Sequence, residues 1–274
     1  MGGNVRKETT AMIDHEIKIK QKGSGIKKGI YILPNLITSA SLFGGFYSII
    51  ASIDGHFQKA AIAIFISAVL DGMDGRVARL TKSTSKFGVE YDSLADLVAF
   101  GLAPGILIFT WALRPFGRYG WLAAFLYVVC GALRLARFNI QIDTVESKRF
   151  NGLPIPAAAS LVASTVLLFF YFGHDEITKH ITILVMVYML AFLMVSNVKF
   201  YGFKELSLIK RMPFRLLVGL ILLLIVVAAE PQVTLFILTL GYALSGLVVT
   251  LFDRRAKKAV VQNIPRKGEE IFKK

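Results

Sequence analysis

The sequence predicts an all-α polytopic membrane protein of about eight transmembrane helices, with both termini cytoplasmic and a polar cavity at the cytoplasmic side. Two observations of composition and one of charge lead there. Hydrophobic residues make up 55% of the chain and charged residues only 18%, and the charges gather between apolar runs. A soluble chain of this length would interrupt such runs with a polar face every few residues. Apolar stretches of roughly 20 residues, the length that crosses a bilayer, fall near 33–53, 57–79, 92–113, 119–139, 154–173, 180–198, 214–230 and 232–252. The last two read as separate crossings turned at Glu230-Pro231, because their joint length of about 39 residues is too long for one.

Charge sets the orientation. With the N-terminus inside, only Lys59, Arg114, Arg118 and Lys179 of the 32 Lys and Arg fall on the outer side. So strong a bias toward one face is the positive-inside pattern, and it accounts for the net charge of +14 without nucleic acid as a partner. Residues 1–32 read as a basic cytoplasmic tail with no signal-peptide pattern, whose portion MIDHEIKIKQ could lie as a short helix on anionic membrane lipids. Residues 33–252 form the membrane domain and 253–274 a second basic tail. Pro34 opens the first span; Gly101, Pro104 and Gly105 punctuate the third; Pro154 and Pro156 open the fifth. Trp111 and Trp121 flank the turn at Arg114–Arg118 and read as anchors at the outer interface. Cys130 stands alone in an apolar run, so no disulfide within the chain and no cysteine metal site can form. The four histidines lie in tails or turns and are assigned no chemistry.

The stretch DGMDGRVARLTKSTSKFGVEYDSLAD, residues 71–96, breaks the apolar pattern. Asp71 and Asp74 are three apart and Asp92 and Asp96 four apart, so on two helices each pair projects from one face. An ionised side chain at membrane depth costs roughly 2.5–3.5 kcal/mol on insertion scales, so four of them imply a neutralising partner. Oxygen-only ligation without His or Cys suits a hard cation such as Mg2+ or Mn2+, which keeps positions open for substrate phosphates. Gly75 lets a ligand approach the backbone, Arg79 can hold a phosphate bidentately, and Ser85 could bond the same phosphates.

The order D-x2-D-G-x2-A-R-x8-G-x3-D-x3-D resembles the signature of the CDP-alcohol phosphotransferase family, with Asp71, Asp74, Gly75, Ala78, Arg79, Gly88, Asp92 and Asp96 on motif positions. The resemblance implies two metal ions per site, with Asp71 and Asp92 bridging them, Asp74 on one, and Asp96 on the other and acting as general base. It also implies that Gly75, Arg79 and Gly88 contact CDP-diacylglycerol, joined by Asn35 and Thr38 from a first-span N-x-x-T pattern. A homodimer in the cell membrane, with its active site facing the cytoplasm, is implied by the same likeness and the charge bias.

LPNLIT (33–38), GALRLARFN (131–139) and FNGLPIPAAA (150–159) are similar to the phosphatidylserine synthase branch of that family. L-serine is then the expected acceptor, with Arg134, Arg137 and Asn139 as candidate serine contacts. The two arginines could equally hold a lipid phosphate or anchor the helix end. Glycerol 3-phosphate or inositol phosphate as acceptor is the alternative within the family. A divalent-cation transporter is the alternative outside it, and would explain the acids but leave Gly75, Arg79 and the spacing unexplained.

Overall fold

The computed structural model describes residues 32–81, 83, 85–142, 149–173, 179–201, 218, 219, 222, 225–227 and 229–262. The proposed tail at 1–32 lies outside them but for its last residue, most of the seventh proposed span, 214–230, does too, and the second tail is described only through Gln262. The described chain is nearly all helical: α1 (Ile32–Ile53), α2 (Phe57–Leu80), α3 (Lys86–Phe116), α4 (Arg118–Ile142), α5 (Ile155–Tyr171), α6 (Ile181–Val195) and α7 (Pro231–Gln262). Two three-residue strands, β1 (Arg149–Asn151) and β2 (Lys199–Tyr201), pair antiparallel and depart from the all-α expectation.

Among the described residues, three helices are long and apolar enough to cross a membrane: α1, α3, and α4 over Arg118–Ile140. α2 has 24 residues but carries Asp71, Asp74, Arg76 and Arg79 in its second half. α5 and α6, with 17 and 15 residues, are shorter than the spans read from hydropathy. At 1.5 Å per residue they reach about 26 and 23 Å, below the roughly 30 Å of a bilayer core. α3 starts earlier than the 92–113 run because Ser85 caps it, its hydroxyl accepting from the Gly88 N–H at 3.0 Å. At the other end of the chain, α7 carries the last proposed span onward through the first ten residues of the basic tail.

Small side chains let the first three helices come close. Ser41 Oγ donates to the Ser67 carbonyl and Ser67 Oγ donates to the Ser41 carbonyl, both at 3.0 Å, latching α1 to α2. At Gly45 a β-carbon would run into the backbone of Ala99 on α3. Within α3, Leu97–Leu102 and Phe109–Leu113 are π-helical. Pro104 has no N–H to offer the Phe100 carbonyl four residues back, and the buried Tyr127 hydroxyl of α4 donates to it at 3.1 Å.

The core lies among α3, α4, α5 and α6, where Phe100, Leu107, Leu113, Ile155 and Leu190 are fully buried. Trp111 is among them at 0% exposure, its ring edge-on to Phe169 at 5.3 Å, which corrects its reading as an interfacial anchor. Trp121, 55% exposed, remains placed for that role. Cys130 is buried as a small apolar residue. Gly152, at φ +85°, joins β1 to α5; its N–H donates to the Val198 carbonyl at 2.8 Å, and any β-carbon there would strike the Met194 carbonyl. This tie fixes the start of α5 against the end of α6.

Candidate active site

Antiparallel pairing of α2 and α3 brings the motif aspartates together at one end of the bundle. A carboxylate oxygen from each of Asp71, Asp74 and Asp92 lies within 4.8 Å of the others, with Asp74 buried and the other two half-buried. Asp96 stands one helical turn deeper and joins the group through Asp71, the two carboxyls being within hydrogen-bonding reach. Carboxylates packed this closely repel one another unless a proton or cation lies between them. The donor set is oxygen only, so the cluster fits a divalent metal of the hard class. Thr38 of α1 supports it, donating to Asp74 Oδ2 at 2.8 Å.

A cavity of about 190 Å³ opens beside the cluster between α1, α2 and α3. Every residue read from sequence as a CDP-diacylglycerol contact lines it: Asn35 and Thr38 from α1, Gly75 and Arg79 from α2, Ser85 and Gly88 at the start of α3. A side chain at Gly88 would crowd both the Ser85 hydroxyl, at 3.1 Å, and the Asn35 side-chain oxygen Oδ1, at 3.4 Å. Exposed at the rim, Arg79 places a cation where a phosphate would enter. Sequence reasoning missed Pro34, Ser83 and Val89 as walls of this cavity, and it marks Ala78 only as a motif position. Ser83 is the polar one among the missed walls, 5% exposed in the α2–α3 connection, and nothing in its local sequence sets it apart from neighbouring hydroxyl residues.

The three candidate serine contacts on α4 diverge. Arg134 is half-buried, its guanidinium 5.8 Å from the Phe138 ring centre and close enough to Asp96 and to Tyr242 of α7 to interact electrostatically with both. Arg137 turns toward the end of α6, donating to Asn197 Oδ1 at 2.7 Å and to the Val195 carbonyl at 3.4 Å. Asn139 donates from Nδ2 to Ser93 Oγ at 3.0 Å, tying α4 to the residue next to Asp92.

A helical hairpin that gathers four carboxylates beside a cavity rimmed by glycine and arginine defines a metal-dependent phosphotransferase class. The chain belongs to the CDP-alcohol phosphatidyltransferase family, whose pattern it matches over residues 31–246. It is 40% identical over 223 residues to a CDP-diacylglycerol–serine O-phosphatidyltransferase of Helicobacter pylori, an alignment covering 81% of this chain and 92% of that one. The enzyme of the same name from Bacillus subtilis is 35% identical over 173 residues, covering 63% of this chain and 92% of that one. Archaetidylserine synthase of Methanothermobacter thermautotrophicus is 42% identical over 141 residues, covering 51% of this chain and 59% of that one. Membership of a transferase family decides for an enzyme over a cation-transit site, and with the apolar helices it makes the chain a multi-pass membrane protein.

Proposed function

We propose that this chain transfers the phosphatidyl group of CDP-diacylglycerol to the hydroxyl of L-serine, forming phosphatidylserine and releasing CMP. The observation that carries this is the 40% identity along nearly the whole of a serine O-phosphatidyltransferase, in a chain whose motif aspartates converge. Two Mg2+ or Mn2+ ions held by Asp71, Asp74, Asp92 and Asp96 would neutralise the diphosphate and stabilise the departing CMP. Asp71 and Asp92 would serve both ions, Asp74 one and Asp96 the other.

The chain's own residues do the rest. Asn35, Gly75, Arg79 and Gly88 hold the nucleotide diphosphate against the cluster, with Thr38 fixing Asp74. The serine oxygen forms a bond to the phosphorus distal to the cytidine as the bond from that phosphorus to CMP breaks. Asp96 accepts the serine proton, since a hydroxyl at neutral pH is a poor nucleophile without a positioned base. Arg134, beside Asp96, reads the serine carboxylate; Arg137, engaged with Asn197, and Asn139, engaged with Ser93, act by holding α4 in place. The site faces the cytoplasm of the cell membrane, where CMP leaves directly. Anionic lipids hold the basic tails, and two chains pair as a homodimer.

Purified protein supplied with CDP-diacylglycerol and Mg2+ should release CMP when L-serine is added. It should do so far less with glycerol 3-phosphate or inositol phosphate, and not at all in excess chelator. Preference for a phosphorylated polyol, or full turnover with chelator, would overturn the assignment.

A further inference from the structure

We propose that Ser83 and Ser85 read the nucleobase: the Ser83 hydroxyl oxygen accepts a hydrogen bond from the 4-amino group of cytosine, and the Ser85 hydroxyl donates to the adjacent ring nitrogen. This deepens, and rests on, the reading of CDP-diacylglycerol as substrate. Both residues line the cavity, together with Asp74 and Asp92. Asp92 lies seven residues beyond Ser85 along α3, roughly 10 Å at helical rise, and Ser83 lies on the other side of Ser85, in the connection. A nucleotide whose diphosphate lies at the aspartates and Arg79 therefore extends its base toward these two hydroxyls.

The direction of each hydroxyl is set by its neighbours. Thr81 Oγ1 donates to the Val77 carbonyl at 2.7 Å, which commits its one proton. The 2.6 Å contact between Thr81 Oγ1 and Ser83 Oγ must then be donated by Ser83, so Ser83 turns only lone pairs toward the cavity. Ser85 is the reverse. Its oxygen accepts from the Gly88 N–H at 3.0 Å, and its proton remains for a ligand. An acceptor next to a donor matches the cytosine edge, where an amino group adjoins an unprotonated ring nitrogen. Uracil carries a carbonyl and an N–H at those positions; Ser85, with a second lone pair, can turn its proton away and accept the N–H, so the mismatch falls on Ser83. For uracil, Ser83 would have to give up its bond to Thr81, and a site built around a hydrogen bond discriminates against the analogue that cannot make it.

The test measures CMP, UMP and 2′-deoxy-CMP as competitors of serine-dependent turnover by the full-length protein and its Ser83→Ala variant. Wild-type protein should favour CMP over UMP. Ser83→Ala should shrink that preference by about 5- to 10-fold, the size of one net hydrogen bond, with the CMP to 2′-deoxy-CMP ratio unchanged. Such ratios do not depend on how much of a preparation is folded, and Ser83→Thr, which keeps the hydroxyl, should keep the preference. An unchanged CMP to UMP ratio overturns the proposal. So does a collapse of the 2′-deoxy-CMP ratio, which would move Ser83 to the ribose. Wild-type protein inert toward CDP-diacylglycerol and serine would overturn the reaction itself, whereas normal turnover with an unchanged ratio would overturn the base reading alone.

Discussion

At the cavity end, α1, α2 and α3 are joined by hydroxyls: Thr38 to Asp74, Ser39 to Tyr91 at 2.8 Å, and Ser41 and Ser67 to each other's carbonyls. In the interior, α3, α4, α5 and α6 meet through fully buried Phe100, Leu107, Trp111 and Ile155, and few polar links are needed. Directional bonds hold side chains to the fraction of an ångström that phosphoryl transfer demands, while close packing supplies a rigid backing without specifying any one atom's position. Substitutions in the first region should therefore change kinetics with little change in stability. In the second the order should reverse.

The largest expected effect tests the division of labour among the aspartates. Asp96→Asn keeps shape and an oxygen but cannot accept a proton, so kcat should fall by about 10²–10⁴ while CDP-diacylglycerol binding is retained. Asp71→Asn, which removes charge from the centre of the cluster, should weaken metal and lipid binding along with turnover. Calorimetry beside rate measurements checks both, and equal loss of binding in the two variants would reduce the four aspartates to one undivided ligand set.

Next in size is Gly152→Ala on the packing side. The left-handed backbone and the Met194 carbonyl together should lower stability by about 3 kcal/mol, seen as a drop in Tm in detergent. KM values of the surviving enzyme should not move; a selective rise in serine KM would break the contrast, placing the α5–α6 tie in the site. Smaller again is the split between two arginines one turn apart. Arg134→Ala should raise the serine KM about 10- to 150-fold and leave that for CDP-diacylglycerol nearly unchanged, from the loss of one charge-assisted bond. Arg137→Ala should act on stability instead, so the reverse pattern would exchange their roles.

The aspartates were legible because holding one ion from two helices leaves little freedom in spacing: i, i+3 and i, i+4 are the separations that share a helix face. The cavity's lining came with the same window and with Asn35 and Thr38. What sequence could not resolve is aim. Arg134 and Arg137 look equivalent on one face, yet a three-residue step rotates the second by about 60°, enough to send it to Asn197 rather than Asp96. Trp111 sits near a turn, as an interfacial anchor would, and only tertiary packing against Phe169 buries it. Hydropathy also missed the polar first turns of α3, because a serine cap starts a helix however polar its first turns are.

The bond from Thr38 to Asp74 has a bearing on which cation the cluster prefers. With one lone pair of Oδ2 taken by the threonine proton, chelation by both oxygens of Asp74 is disfavoured against binding through Oδ1. Calcium is commonly chelated by both oxygens of a carboxylate in loose seven- or eightfold shells, whereas magnesium demands single-oxygen ligands in a tight octahedron. A hydroxyl that touches no substrate phosphorus would thus bias ionic selectivity from behind the ligand, and Thr38→Val, by freeing that lone pair of Oδ2, should narrow the preference for Mg2+ over Ca2+ in a calorimetric titration.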